Sequence, residues 1–503
     1  MPNETPETSV CCGTCGCRKI AAITPRIGET TARYLAATRP LLDLVTAKGG
    51  LVNVVFPEVV LQNRASFSAE LSSRGIAGQV LYTSKPNRSS AILAALAESG
   101  APVDVSSAGA LRHTLSQGVP GHRIQASGPK NLDYAYLALA HGVTVSVDSI
   151  SELEMIEDLV RSDTSLPPAQ LLLRLSGFTS ERVRFPSSDT PFGIRLDDVD
   201  TVLERFDRFG DRATFLGTHF HLLGGEREER LVAFENSLDT IRRAYRLGLR
   251  PRILNIGGGF KIRYAEHNEE WLNFQSYLRA SLLGKVEPIT WDGTGLGLRL
   301  EQGRVVGNLT VGDHYPTAVG AQEFGAFLDT RSPYFDHCPV GELVRDMMLE
   351  LRVEPGRALL DQAGFTVTEV VAVKESAAGT PLLMVSMNHT NLLSREQKLL
   401  TQPVFIPRSP REKSTASYFI FGNLCIASDL IQYQKVYPGF SLGRGDLVAF
   451  INTAAYHMDF AESEILHQHV ARKVAAFERQ GDFISLDDDV VNPVLVRRIR
   501  SER

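Results

Sequence analysis

From about residue 79 the chain alternates short apolar runs with stretches of helical periodicity. QVLYTSK (79–85) reads as a strand, and Ser89 or Ser90 then caps a helix whose apolar positions Ile92, Leu93 and Leu96 follow helical spacing. Gly100 closes that helix. The unit recurs as VDVSS (103–107) with AGALRHTLSQG, as RIQAS (123–127) with NLDYAYLALAHG, and as VTVSVDS (143–149) with ISELEMIEDLVR. LLLRLS (171–176) follows, then TFLGTHFHLL (214–223) with the long periodic stretch ERLVAFENSLDTIRRAYRLG. ILNIGGG (253–259) and LRVEP (351–355) complete the series. Strands alternating with helices eight times predict a parallel sheet closed into a (β/α)8 TIM barrel, an α/β fold whose chemistry gathers at the C-terminal ends of the strands.

Two stretches break the rhythm. Residues 261 to about 349 exceed one connection and predict an insertion, with Trp291 and the glycine-rich TWDGTGLGLRL inside it. After residue 364 the pattern turns to short β runs (TVTEVVAVKE, LLMVSMN, YFIFGNLC, DLVAFIN), an all-β second domain. The expected organisation is a flexible cysteine-containing tail over 1–45, a barrel over 46–364 and a β domain over 365–503. LVNVVF (51–56) joins one sheet or the other.

Composition narrows the function classes. With 43% hydrophobic and 22% charged residues the chain is that of a globular protein. A net charge of -5 with scattered Lys and Arg offers no basic face to nucleic acid, and no apolar run is long enough for a membrane span. MPNETPETSV has neither the basic start nor the apolar core of a secretory signal, so the cytoplasm is expected. Cys11, Cys12, Cys15 and Cys17 crowd into CCGTCGC, where Cys-x-x-Cys spacing suits a metal. Adjacent cysteines fit one tetrahedral centre poorly and no second ligand pair follows, so an oxidation-prone tail is the favoured reading, with no metal.

The polar residues at the predicted strand ends carry the chemistry. Lys85 in YTSKPN is either a solvated lysine or one that forms a Schiff base with a carbonyl cofactor. Gly257, Gly258 and Gly259 in NIGGGF form a tight turn or let backbone N–H groups approach a phosphate. Glu354 in EPGR either pairs with Arg357 or holds a pyridine nitrogen protonated. His221 in THFHLLGG, on the same strand face as His219, is core or stacks on a ring. Cys425 in GNLCIASD and Tyr456 in NTAAYHMDF lie in apolar surroundings, where a cysteine is commonly a small buried hydrophobe.

Taken in order, YTSKPN, GTHFHLLGG, NIGGGF, EPGR, GNLCIASD and GD-x(7)-AAY resemble the barrel-fold pyridoxal-phosphate-dependent decarboxylases. This is the alanine-racemase-like fold of diaminopimelate decarboxylase and of the eukaryotic-type ornithine and arginine decarboxylases. The resemblance covers about residues 50 to 470 apart from the insertion. It implies that Lys85 carries the cofactor and His221 stacks on its ring. Gly257 to Gly259, Gly356 and Arg357 would bind the phosphate, and Glu354 would pair with the pyridine nitrogen, with Asp104 and Arg174 beside it. Cys425 would return a proton to the carbanion, and Tyr456 would touch phosphate or substrate. It further implies a homodimer in which the β domain of one subunit completes the amino-acid site of the other.

The departures lie in the substrate half. Where diaminopimelate decarboxylases usually read C-E-S-G-D, this chain has Cys425, Ile426, Ala427, Ser428 and Asp429, without the Glu that grips a distal amino group. The usual His-Ile-Gly-Ser becomes His221, Leu222, Leu223 and Gly224, and SMNHTNLLSREQ leaves only Arg395 as a loose counterpart of a substrate-binding arginine. Arg357, Arg395, Cys425, Ile426 and Tyr456 are therefore the expected substrate contacts. A racemase of the same fold pairs the pyridine nitrogen with arginine, whereas Glu354 favours storing a full negative charge in the ring, which decarboxylation requires. A substrate of a secondary pathway, such as siderophore assembly, stands beside diaminopimelate as the alternative. A catalytically silent regulator would lack Lys85 or Cys425, and this chain keeps both.

Overall fold

The computed structural model describes residues 21–180, 190–222, 226–395 and 399–501. Cys11, Cys12, Cys15 and Cys17, and the Leu223–Gly224 part of the His221 motif, fall outside them. The expected barrel is present. Its strands are Gly78–Val80 running on through Leu81 into Tyr82–Thr83, then Val103–Val105, Ile124–Ala126, Thr144–Val147, Ala169–Ser176, Ala213–His219, Ile253–Asn255 and Glu350–Val353. Every neighbour pairs in parallel, and the last returns to the first through Val353↔Val80 and the Leu81 N–H to Val353 carbonyl bond of 2.9 Å. Strands covered on both faces read as unbroken apolar runs, which is why they stood out in the sequence.

The helices behind these strands start with strong signals. Ser89, Ser107, Asn131 and Ser149 each accept a hydrogen bond from the backbone N–H three residues on, at the mouth end of four successive helices. Such a cap is worth about 1 kcal/mol. Gly100 ends the first of them at φ +76°, a backbone that costs glycine nothing.

LVNVVF belongs to the β domain. Leu51–Val55 lies inside its main sheet, antiparallel to Gly364–Glu375 and parallel to Arg472–Arg479. Alternation along these strands serves two cores. Val52, Val54, Val367, Ala449 and Ile451 pack into the barrel's own apolar core, while Leu51, Val448 and Phe450 join Leu383 and Val385 on the far side. The β domain is thus fused to the barrel by a shared interior.

Two boundaries differ from expectation. The flexible tail expected to residue 45 is contradicted from residue 29, where Glu29–Ala36 and Thr38–Ala47 are helices. Their Tyr34, Leu41 and Val45 are buried, and Tyr34 sits edge-on to Phe56, Phe365 and Phe483. The second half of the 261–349 stretch is also no excursion. Helices Gly320–Leu328 and Val340–Asp346 bury Phe324, Phe327, Val340 and Val344 in the barrel core. Only about 265–311 has a core of its own, built on Trp271, Phe274, Leu278, Ile289, Leu296 and Leu298 with Ile23 and Leu400. Among the described residues no helix is long and apolar enough to cross a membrane.

Candidate active site

The strand ends converge on one polar cluster. Lys85 is exposed, two residues beyond the first strand, and the chain after it is clamped by the β domain. The Tyr456 N–H donates to the Pro86 carbonyl at 2.8 Å, and the buried Asn87 donates from Nδ2 to the Ala454 carbonyl at 2.8 Å. Lys473 ties the same segment to Asp459, 2.6 Å away. A second lysine near a strand end, Lys130, is excluded by its own bonds. Its buried Nζ donates to the Gly128 and Ser146 carbonyls and to Glu152 at 2.8 Å.

Glu354, 5% exposed, ends the eighth strand. It does not pair with Arg357. Its Oε1 instead accepts from Gln125 Nε2 at 2.6 Å and from Asn255 Nδ2 at 2.7 Å, which fixes the carboxylate while Oε2 keeps no protein partner among the described residues. Asp104 stands alongside, accepting from the Ser127 hydroxyl at 3.0 Å. Burial, reinforced by the Glu354 charge, raises the Asp104 carboxyl well above the usual carboxylate range. His219 is held at Nδ1 by Ser146 at 2.7 Å and kept neutral by burial, and its buried Nε2, 3.6 Å from Glu354 Oε1, has no hydrogen-bond partner among the described residues. His221 accepts the Gly258 N–H at Nδ1 (3.3 Å) and is pushed down to about 3 by desolvation and then by the Lys85 charge, so its ring is neutral at any physiological pH.

The glycine loop is packed too tightly for any side chain. Gly257 has φ +64°, and a Cβ there would meet the Phe220 carbonyl oxygen at 2.4 Å; one on Gly258 would meet the Glu354 carbonyl oxygen at 2.4 Å. A Cβ on Gly356 would lie 3.0 Å from Pro86, so the EPGR turn and the Lys85 segment touch. Arg357 donates to the Tyr264 hydroxyl at 2.8 Å and lies over the Tyr456 ring, 4.8 Å from its centroid. Arg174, opposite His219 on the neighbouring strand, pairs with Asp148 at 3.0 Å and covers Phe192.

Cys425 and Ile426 are not joined to this cluster by any hydrogen bond or ion pair among the described residues. Both are exposed, on a β-domain turn built around the buried Asp429. One carboxylate oxygen of Asp429 accepts from the His389 N–H (2.8 Å) and ring (2.9 Å), the other from the Leu424 N–H (2.8 Å). Arg395 belongs to this turn as well, donating to the Ser428 carbonyl at 2.9 Å. Sequence reasoning missed Gln125, Asn255, Ser127 and Tyr264. The first two had a signal, since a lone amide inside the apolar runs RIQAS and ILNIGG is costly to bury unless something requires it.

Residues 61–308 match the family described as pyridoxal-dependent decarboxylase, pyridoxal binding domain. An uncharacterized protein, y4yA, of Sinorhizobium fredii is 28% identical over 90% of this chain and 93% of its own length. Diaminopimelate decarboxylase of Bacillus subtilis is 24% identical over 91% of this chain and 90% of its own. Among solved structures, the Helicobacter pylori diaminopimelate decarboxylase complexed with L-lysine superposes with a TM-score of 0.63 at 17% identity, over 88% and 95% of the two chains. The Vibrio vulnificus lysine/ornithine decarboxylase complexed with cadaverine gives 0.63 at 18%, over 90% and 100%.

The residues present fit pyridoxal phosphate. A primary amine, a fixed carboxylate and a neutral imidazole share one mouth with a cradle that a single Cβ would fill. The buried hydroxyls of Thr83 and Ser84, next to Lys85, lack a protein partner among the described residues, as sites made for a ligand do. The barrel, the mouth and the family match agree: residues 61–308 are similar to the pyridoxal binding domain of the pyridoxal-dependent decarboxylases, and the mouth is that of a carboxy-lyase that uses that cofactor.

Proposed function

We propose that this enzyme removes the α-carboxyl of an amino acid whose distal end is bulkier or less charged than that of diaminopimelate, in sites shared between two subunits. When bound, the cofactor supplies an electron sink for the charge left by carbon dioxide. Lys85 holds it covalently, and Gly257 to Gly259, Gly356 and Arg357 bind its phosphate. Glu354, its Oε1 fixed by Gln125 and Asn255, presents Oε2 to the ring nitrogen and favours the protonated ring. The neutral His221 ring offers a flat face without competing charge, and Asp104 and Arg174 support the mouth. Cys425, exposed on its turn, serves as proton donor to the partner's site, with Tyr456 and Arg395 near the substrate.

The observation that carries the substrate reading is Ile426, 39% exposed beside Cys425 on a turn that Asp429 holds in shape. An isoleucine offers an ammonium group nothing, and burying that charge against it costs several kcal/mol without compensation. Carbon dioxide release, screened over basic, acidic, aromatic and diamino acids of both configurations, tests this. Meso-diaminopimelate should rank as a poor substrate, and Ile426→Glu should raise activity on diamino acids. Efficient turnover of diaminopimelate by the unmodified enzyme would overturn the reading and favour lysine biosynthesis.

A further inference from the structure

The helix Arg227–Arg246 follows the sixth barrel strand, and its fourth residue points inward. Arg230 is 2% exposed and ranks first among the largest fully buried side chains. Its guanidinium lies over the Phe260 ring at 4.0 Å and near Phe327 at 5.6 Å, and Nη2 donates to the Gly258 carbonyl at 3.0 Å. Burial lowers it only to about 10, so it stays charged at neutral pH. The carboxylates of Glu226 and Glu323 favour that charge, yet sinking it against two aromatic rings is expensive, and a helix needing only packing would place an aliphatic residue here.

The geometry of a trans peptide gives this charge a use. Carbonyl and following N–H point in opposite directions, so holding the Gly258 oxygen toward the helix layer turns the Gly259 N–H away from it. The rest of the loop is arranged to match. The Gly257 N–H is taken by Asn255 Oδ1 at 2.9 Å, that of Gly258 by His221, and that of Lys261 by Glu323 at 2.7 Å. Among the described residues the N–H groups of Gly259 and Phe260 are given no protein acceptor. Two adjacent donors, with Gly259 at φ +87°, make a nest for an anion.

We propose that Arg230 is a positioning residue for the cofactor phosphate: from beneath the glycine loop it fixes the Gly258–Gly259 peptide so that the Gly259 N–H faces the anion. This rests on the reading that Gly257 to Gly259 bind that phosphate. The test compares two ligands that differ only there. Full-length protein stripped of cofactor is titrated with pyridoxal phosphate and with pyridoxal, following the bound chromophore, for the wild type, Arg230→Met and Arg230→Lys. Methionine keeps most of the bulk over Phe260 and removes the donor; lysine keeps one donor. Arg230→Met should weaken pyridoxal phosphate on the order of tenfold, the size of a lost hydrogen bond to a charged group, with pyridoxal changed less than about twofold. Arg230→Lys should fall between. Equal weakening of both ligands would reduce Arg230 to a structural role, and an undiminished preference for the phosphorylated ligand would also overturn the proposal. Should Arg230→Met not fold, Arg230→Lys alone is judged by the same comparison. A wild type indifferent to the phosphate would instead sink the cradle reading itself.

Discussion

Glu354 and Lys85 show how much of this site depends on what surrounds a residue rather than on the residue. The Glu354 carboxylate is nearly enclosed yet receives two amide donors, so its orientation is settled before any ligand arrives. Glu354→Gln retains the shape and removes the charge. Loss of one charge-assisted bond in an enclosed site costs on the order of 3 kcal/mol, so turnover should fall about a hundredfold while cofactor binding, read by absorbance, changes little. Unchanged turnover would give the ring nitrogen another partner. Lys85 is defined by contrast with Lys130, whose ammonium is consumed by two carbonyls and Glu152. Borohydride reduction of the yellow holoenzyme and peptide mapping should therefore mark Lys85; a label on Lys130 would refute the assignment. Both residues were legible in the sequence, because each follows an apolar run at a strand end. Their partners were not. Gln125 lies 229 positions from Glu354, and Tyr264 lies 93 from Arg357, so no local pattern ties them together.

At the scale of elements, legibility followed local signal strength. The barrel strands are apolar runs, and four helices behind them open on a serine or asparagine that caps through its side chain. The helices Glu29–Ala36 and Thr38–Ala47 begin at Gly28 and Ala37 with no side-chain cap. They owe their stability to packing against Phe56, Phe365 and Phe483, which a reading of the tail alone does not contain. The turn bearing Cys425 is another such element. Its shape rests on one buried carboxylate, and Asp429→Ala would leave the Leu424 and His389 N–H groups unpaired at about 1–3 kcal/mol each. Since no hydrogen bond or ion pair joins the turn to the barrel mouth among the described residues, turnover should drop at least about tenfold while the affinity for pyridoxal phosphate is kept. Parallel loss of both would place the turn in the cofactor site of its own chain.

The whole molecule supplies the reason for expecting that separation. Barrel and β domain share one apolar core, and Tyr456, Asn87 and Lys473 bind the β domain directly to the segment carrying Lys85. Among the described residues no hydrogen bond or ion pair joins the exposed thiol to the mouth of its own barrel, yet the Cys425 turn is as carefully built as the mouth. The insertion braces the same region, since the Trp291 ring packs edge-on to Phe419 and Phe421, on the strand leading into that turn, and the Trp291 backbone N–H donates to the Tyr433 carbonyl at 2.7 Å. A second copy related by a two-fold axis would meet both requirements at once, each thiol serving the other subunit's lysine. Lys85→Ala and Cys425→Ala chains should each be inactive alone. After mixing and subunit exchange, half of the dimers are hybrids, and each hybrid holds one site with both residues and one with neither. About a quarter of wild-type activity should therefore return. A mixture that stays silent, with hybrid dimers demonstrated by mass spectrometry, would place lysine and thiol in the same subunit.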